Sequence, residues 1–143
     1  MIVPRLCALA AILLLGCSRA KEPPAPRFVN EAFNLTEPER AALATQAAGG
    51  AGQAAFRLSE YYGLYLGNSR EHERWLRRST ELGHVTAAYN LGAMLELRKQ
   101  FPEARHFFSL ALQRARTEGN ASLASAAQES LSALPPEAPS RTP

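Results

Sequence analysis

His72-Glu73 is where this sequence comes closest to a catalytic pattern. A zinc protease carries His-Glu on a helix with a second His four residues after the first, so that both imidazoles meet one metal. Position 76 is Leu, and the second ligand is missing. His72 also stands between Glu71 and Glu73, whose side chains would leave a helix in different directions. His84 falls in a turn and His106 is alone on its segment, so no metal is expected. A Ser/His/Asp triad needs an aspartate, and all 13 acidic residues are Glu. A triad built on Glu would lack the nucleophile-elbow motif around its serine. Gly49-Gly50-Ala51-Gly52 has neither the lysine nor the preceding strand of a phosphate-binding loop. Two glutamates could still meet at glycosidase spacing, but nothing in the sequence points to such a pair. The expectation is a protein with no catalytic residues, no cofactor and no metal.

Charge is the next chemistry to weigh. Arg70, Arg74, Arg77 and Arg78 crowd one segment. Glu73 precedes Arg77 by four residues and Arg77 precedes Glu81 by four, so these charges can pair along a solvated helix face. An acidic partner or lipid headgroups is the alternative use. The formal net charge of +3 is too small to argue for nucleic acid as a partner.

The remaining reactive side chain is a thiol. Residues 6–15 form an unbroken apolar run after Arg5, long enough for a signal-peptide core and too short to cross a bilayer. Leu14-Leu15-Gly16-Cys17 closes that run and resembles the lipobox of bacterial lipoproteins. The resemblance implies cleavage after Gly16, diacylglycerol on the Cys17 sulfur and a further acyl chain on the new amino terminus. An ordinary secretory signal that contains a cysteine, or an uncleaved anchor, is the alternative. Cys7 would leave with residues 1–16, which makes Cys17 the only cysteine of the mature chain. It cannot pair internally, and acylation disposes of a thiol that an oxidising compartment would otherwise attack. Each buried methylene contributes about 0.8 kcal/mol to membrane attachment, so two or more chains hold where one is marginal. Under the sorting rule that comes with the resemblance, Ser18 in place of Asp favours the outer membrane, facing the periplasm.

The elements that would carry partner contacts lie further along. Pro23, Pro24 and Pro26 mark residues 17–34 as a tether, and Pro135, Pro136, Pro139 and Pro143 mark 135–143 as a disordered tail. Between them, 35–134 is one all-α domain. Abundant Ala and scarce β-branched residues favour helix, and no alternating strand pattern occurs. Thr36 and Glu39 have capping-box spacing, with Pro38 in the first turn of a helix over 37–48. Further helices are expected over 51–64, 70–82, 86–98, 102–118 and 121–134, with Ser69 as an N-cap and Gly83 as a C-terminal stop. Short loops make neighbours antiparallel.

Two of these segments repeat. With an offset of 33 residues, Ala54-Ala55-Phe56-Arg57-Leu58-Ser59 falls on Ala87-Ala88-Tyr89-Asn90-Leu91-Gly92, and Tyr62 falls on Leu95. Trp75 and Ser79 fall on Phe107 and Ala111 with an offset of 32. Such a period is that of helix-hairpin solenoids, in which small residues let the paired helices approach and large apolar ones fill the space between pairs. Ala87, Leu91 and Gly92, together with Trp75, Ser79 and Gly83, resemble the Sel-one-like repeat family, a relative of tetratricopeptide repeats, over about residues 50–115. Leu95 departs from that family's usual aromatic, the second unit lacks glycines between its helices, and from Phe101-Pro102-Glu103-Ala104 the pattern reads more like an ordinary tetratricopeptide.

The resemblance implies a protein-binding scaffold. Trp75 and Tyr62 are expected in the core. In solenoids of this type the first helix of each hairpin lines the concave face, which makes Arg57, Tyr61 and Tyr65 of one unit and Asn90 and Met94 of the next the expected partner contacts. Tyr, Arg and Met are also types favoured at interfaces. The expected function is that of a membrane-anchored adaptor for another, unidentified envelope protein. A structural accessory lipoprotein is the alternative, with an enzyme of unrecognised site behind both.

Overall fold

Ala and Leu at three- and four-residue spacing dictate helix along nearly all of residues 31–136, the part of the chain described by a computed structural model. The helices are α1 Glu37–Ala48, α2 Gly52–Glu60, α3 Ser69–Glu81, α4 Val85–Leu97, α5 Phe101–Thr117 and α6 Ala121–Ala133, with no strand among the described residues. Each helix packs against the next one in sequence. The result is an all-α stack in which α2–α3 and α4–α5 form the two central hairpins, flanked by α1 and α6.

The ends of these helices follow from local chemistry. The backbone N–H and hydroxyl of Thr36 both donate to the Glu39 carboxylate at 2.7 Å. Those bonds hold the Glu39 pKa below the usual carboxylate value. The cap of α3 is Asn68 and not Ser69: its Oδ1 accepts from the Glu71 N–H at 3.2 Å, and Ser69 is already helical. Asn120 caps α6 in the same way through the Leu123 N–H. Between α4 and α5, where the second unit lacks a glycine, Lys99 takes the left-handed conformation itself, at φ 60°.

The repeat seen in the sequence is a repeat in space. Ala54, Ala55 and Leu58 of α2 are buried, as are Ala87, Ala88 and Leu91 of α4. Leu76 and Ser79 of α3 are buried like Phe108 and Ala111 of α5, their counterparts 32 residues on. Ser59 of the first unit becomes Gly92 in the second, and the reason is steric. A Cβ at Gly92 would sit 2.8 Å from Cδ1 of the Phe108 ring. The larger Phe108 therefore needs the smaller residue opposite it, where Leu76 does not.

One turn departs from the expected helix over 51–64. After Glu60 the chain widens into a single π-helical turn, Tyr61–Tyr65, in which the Leu66 N–H donates to the Tyr61 carbonyl. Gly63 stands at its centre, and a Cβ there would lie 2.5 Å from Nδ1 of His72 on α3. Tyr61, whose N–H still bonds the Arg57 carbonyl, lies three residues after Leu58 on the same face and is buried, 4% exposed, while Tyr62 is half-buried at the edge. Trp75 is likewise half-buried; it lies against Leu43 and Ala47 of α1, and Leu76, about 100° further round the helix, fills the core.

The chain enters the domain before α1. Glu31–Phe33 forms one 3-10 turn, the Ala32 carbonyl accepts from Arg57 Nη2 at 2.9 Å, and Leu35 is buried against Leu58 and Tyr61. Residues 31–34, expected in the tether, thus belong to the folded part.

Candidate functional site

A cleft of about 510 Å³ opens between the first helices of the two hairpins. Phe56 and Leu64 form one wall, Met94 and Leu97 the other, with His72 and Asn90 between them. Leu64 is 51% exposed and Leu97 86% exposed, the large apolar side chains most open to solvent among the described residues. They are 33 residues apart, which makes them the same position in the two units. The spacing of the repeat alone was enough to pair them; their exposure was not legible without the fold. A stacked array that places a large leucine outward twice, on one cleft, departs from the rule that such side chains fill the interior.

The polar groups of the cleft fall into two kinds. Glu60 and Arg98 stand at its rim, and both are engaged. Arg57 approaches Glu60 at 3.5 Å, and Arg98 donates to Glu73, which also receives Arg77 at 2.9 Å. The hydrogen bond from Arg98, with a further contribution from Arg77, holds the Glu73 carboxyl below the usual range. Arg77 thus turns to Glu73 and not to Glu81, which is taken by Arg78 at 3.2 Å. Arg74 pairs with Glu71 at 2.7 Å. The ion-paired helix face expected for this cluster is present in that form, with Glu73 also tying α3 to the end of α4.

Nearer the middle of the cleft stand His72 and Asn90. Nδ1 of His72 lies 2.7 Å from the Ser59 carbonyl, an acceptor only, so that nitrogen donates to it. The Asn90 carboxamide has no hydrogen-bond partner among the described residues. An apolar cleft with neutralised ends and a few free neutral donors and acceptors suits an uncharged segment with apolar side chains. Among the described residues no group of three or more His, Cys, Asp or Glu could hold a metal.

The expected partner contacts divide accordingly. Asn90 and Met94 line the cleft. Tyr61 does not: it is buried, the Arg40 guanidinium donates to its hydroxyl, and the Tyr65 ring stacks on it at 5.4 Å. Its place three residues after Leu58, on the buried face of α2, is the cause. Tyr65 is half-buried in that stack, and Arg57 spans from Glu60 to the Ala32 carbonyl with its guanidinium 5.6 Å from the Phe33 ring. Arg57 and Tyr65 border the cleft as parts of the scaffold. Cys17, the expected lipidation site, lies outside the described residues, as do the rest of 17–30 and residues 137–143. No described helix is long and apolar enough to cross a membrane.

Sequence inspection placed His84 in a turn and assigned it nothing. It is the N-cap of α4: Nδ1 accepts from the Ala87 N–H at 3.2 Å, Nε2 faces Gln53 Oε1 at 2.7 Å, and the ring stacks on Phe56 at 4.5 Å. The Phe56 wall of the cleft is thus fixed from behind by an imidazole that must stay neutral to accept. Burial lowers its pKa, opposed by the charge of Glu118. The unfolded chain then takes up this proton before the folded one, so the contribution is whole above about pH 6.5 and is lost as the pH falls below that value. Urea unfolding is expected to give a smaller free energy at pH 5.5 than at pH 7.5. In His84→Asn, which keeps a capping acceptor, most of that difference should vanish.

Comparison with known proteins finds no matching family model, no similar curated protein and no similar solved structure. The class is therefore defined by the architecture itself: an all-α stack of helical hairpins, built from a repeated unit.

Proposed function

We propose that this chain is a lipid-anchored helical-repeat lipoprotein of the bacterial cell envelope, an adaptor that holds another envelope protein in the cleft between its two repeat units. The observation that carries the binding half is the repeated outward leucine, Leu64 and Leu97, on an apolar cleft whose rim charges are already paired. Burying two such side chains under a partner would remove apolar surface from water at about 25 cal/mol per Å². The anchoring half rests on the resemblance of Leu14-Leu15-Gly16-Cys17 to a lipobox, and Ser18 favours the outer membrane.

Labelled palmitate supplied to cells is expected to enter the wild-type chain and not Cys17→Ala, with the wild type in the membrane fraction. Label in Cys17→Ala, or a wild type that leaves the membrane with salt alone, would defeat the anchor. From detergent-solubilised envelope the wild type is expected to carry a stoichiometric partner protein. A chain that purifies alone under those conditions argues against the adaptor.

A further inference from the structure

A second hollow, of about 520 Å³, lies between α1 and α3, and its charge differs from that of the cleft. Glu60 and Arg98, of opposite sign, border the cleft. Around the hollow, Arg74, Arg77 and Arg78 stand with a single glutamate, Glu81. The rest of its lining is apolar, with Ala47 and Ala48 of α1 on one side and Trp75 on the other. The Arg74 guanidinium lies over the Trp75 ring, 4.6 Å from its centre.

All three arginines are paired along their own helix, but in different ways. Arg74 directs Nε and Nη2 together at Glu71, at 2.9 and 2.7 Å, and Arg77 does the same with Glu73, at 3.0 and 2.9 Å. That edge of a guanidinium can take a carboxylate in two parallel bonds, and in both residues it is occupied. Arg78 meets Glu81 through Nη1 alone, at 3.2 Å, and its Nε–Nη2 edge has no acceptor among the described residues. Glu73 is also shared with Arg98, which divides the negative charge beside Arg77 between two guanidiniums.

A carboxylate on a narrow chain complements this arrangement better than a membrane does. A flat anionic surface would meet the whole outer face of α3, where Glu71, Glu73 and Glu81 lie among the arginines. Mixed charges of that kind leave little field beyond about 8 Å, the screening length at physiological salt. A single carboxylate can enter between the glutamates and meet a guanidinium directly. An apolar neighbour on the same chain would then leave water for the alanines and the indole.

We propose that the hollow between α1 and α3 is a second binding site, for an acidic segment of a partner protein. Its carboxylate takes the open edge of Arg78, and an adjacent apolar side chain covers Ala47 and Trp75. Glu81 yields easily, since its side chain and that of Arg78 are 65% and 42% exposed and such pairs are weakly held. None of the residues lining this hollow lines the cleft, so either site can fail without the other.

Trp75 is the only tryptophan, and the fluorescence of the full chain therefore reports on the hollow. The probes are two short capped peptides of Gly, Leu and Glu, identical except that Gln replaces every Glu in the second. Titrated into the millimolar range at low salt, the Glu peptide is expected to shift the Trp75 emission saturably. The Gln peptide should bind at least about tenfold more weakly, the loss of a charge-assisted pair. Arg78→Gln should lose the same factor for the Glu peptide, and Arg78→Lys, which keeps the charge without the planar edge, should recover only part of it. Arg70→Gln removes an equal charge from an exposed position of α3 outside the hollow, and binding should stay within about twofold of wild type. Equal losses in Arg70→Gln and Arg78→Gln, or equal binding of the two peptides, would overturn the proposal. So would an emission indifferent to the Glu peptide. A shift produced by phosphatidylglycerol vesicles and not by the peptide also overturns it, and makes the hollow a headgroup site.

Discussion

Gly92→Val is expected to destabilise the domain by about 3 kcal/mol, the upper end of what overpacking costs and a large part of the 5–15 kcal/mol that holds a typical domain together. Gly92 and Phe108 are both buried, and the ring atoms nearest a Cβ at Gly92 would be 2.8 and 2.9 Å away. The α4 backbone cannot retreat, since Leu91 and Leu95 pack the same core with Ala104 and Leu134. Valine places two methyls beyond the Cβ, so the ring must leave its position or the helices must part. Phe108→Ala alone should cost about 3–5 kcal/mol as a cavity. The informative measurement is the double variant by urea unfolding. Its loss should fall short of the sum of the two by at least about 1 kcal/mol, because the valine enters space the ring has vacated. Strict additivity would mean that the close approach of α4 to α5 is not what selects glycine here.

The second large effect is on binding with stability left intact. Leu64→Lys combined with Leu97→Glu places a charge on each apolar wall and leaves net charge unchanged. Both positions are exposed, so unfolding free energy should stay within about 0.5 kcal/mol of wild type for each change. Partner retention from solubilised envelope should drop at least about tenfold, the loss expected when apolar anchors worth more than 1.4 kcal/mol are replaced by charges that must desolvate. Retention at wild-type level would remove the cleft from the binding surface. Tyr61→Ala is a poor substitute for this experiment: it would empty a core position and remove the hydroxyl to which Arg40 donates, so loss of partner could not be told from loss of fold.

Much of the fold was legible because the determinants are local. Thr36 with Glu39, the stop at Gly83, and the Ala-Ala-x-x-Leu unit at 54 and 87 each act within a few residues, and each appears where the spacing puts it. What escaped depends on contacts across the stack. Nothing near Tyr61 in sequence announces a widened turn, at whose centre Gly63 lies so close to the His72 ring of α3 that a Cβ would fall 2.5 Å from Nδ1. Trp75, expected in the core from its spacing, packs on two core clusters while remaining half-buried, and the fully buried position is its neighbour Leu76. Arg57 reads as a free contact until its partner 25 residues upstream is known. In the cleft itself, Asn90 and Met94 followed from the repeat, whereas His72 and His84 act through a carbonyl, an amide and a ring that only the fold brings to them.

The grip of Arg57 on Ala32 has a mechanical consequence. Tension applied through the N-terminal segment meets the Arg57 hydrogen bond to Ala32, the Arg57 contact with the Phe33 ring and the buried Leu35 before any helix bears load. Those weak links lie in series with the stack. Under a pull they would yield first, paying out about 3.3–3.6 Å of chain for each residue freed. The lead-in thus behaves as a fuse with a built-in extension, absorbing strain at the cost of one turn while both hairpins keep their packing.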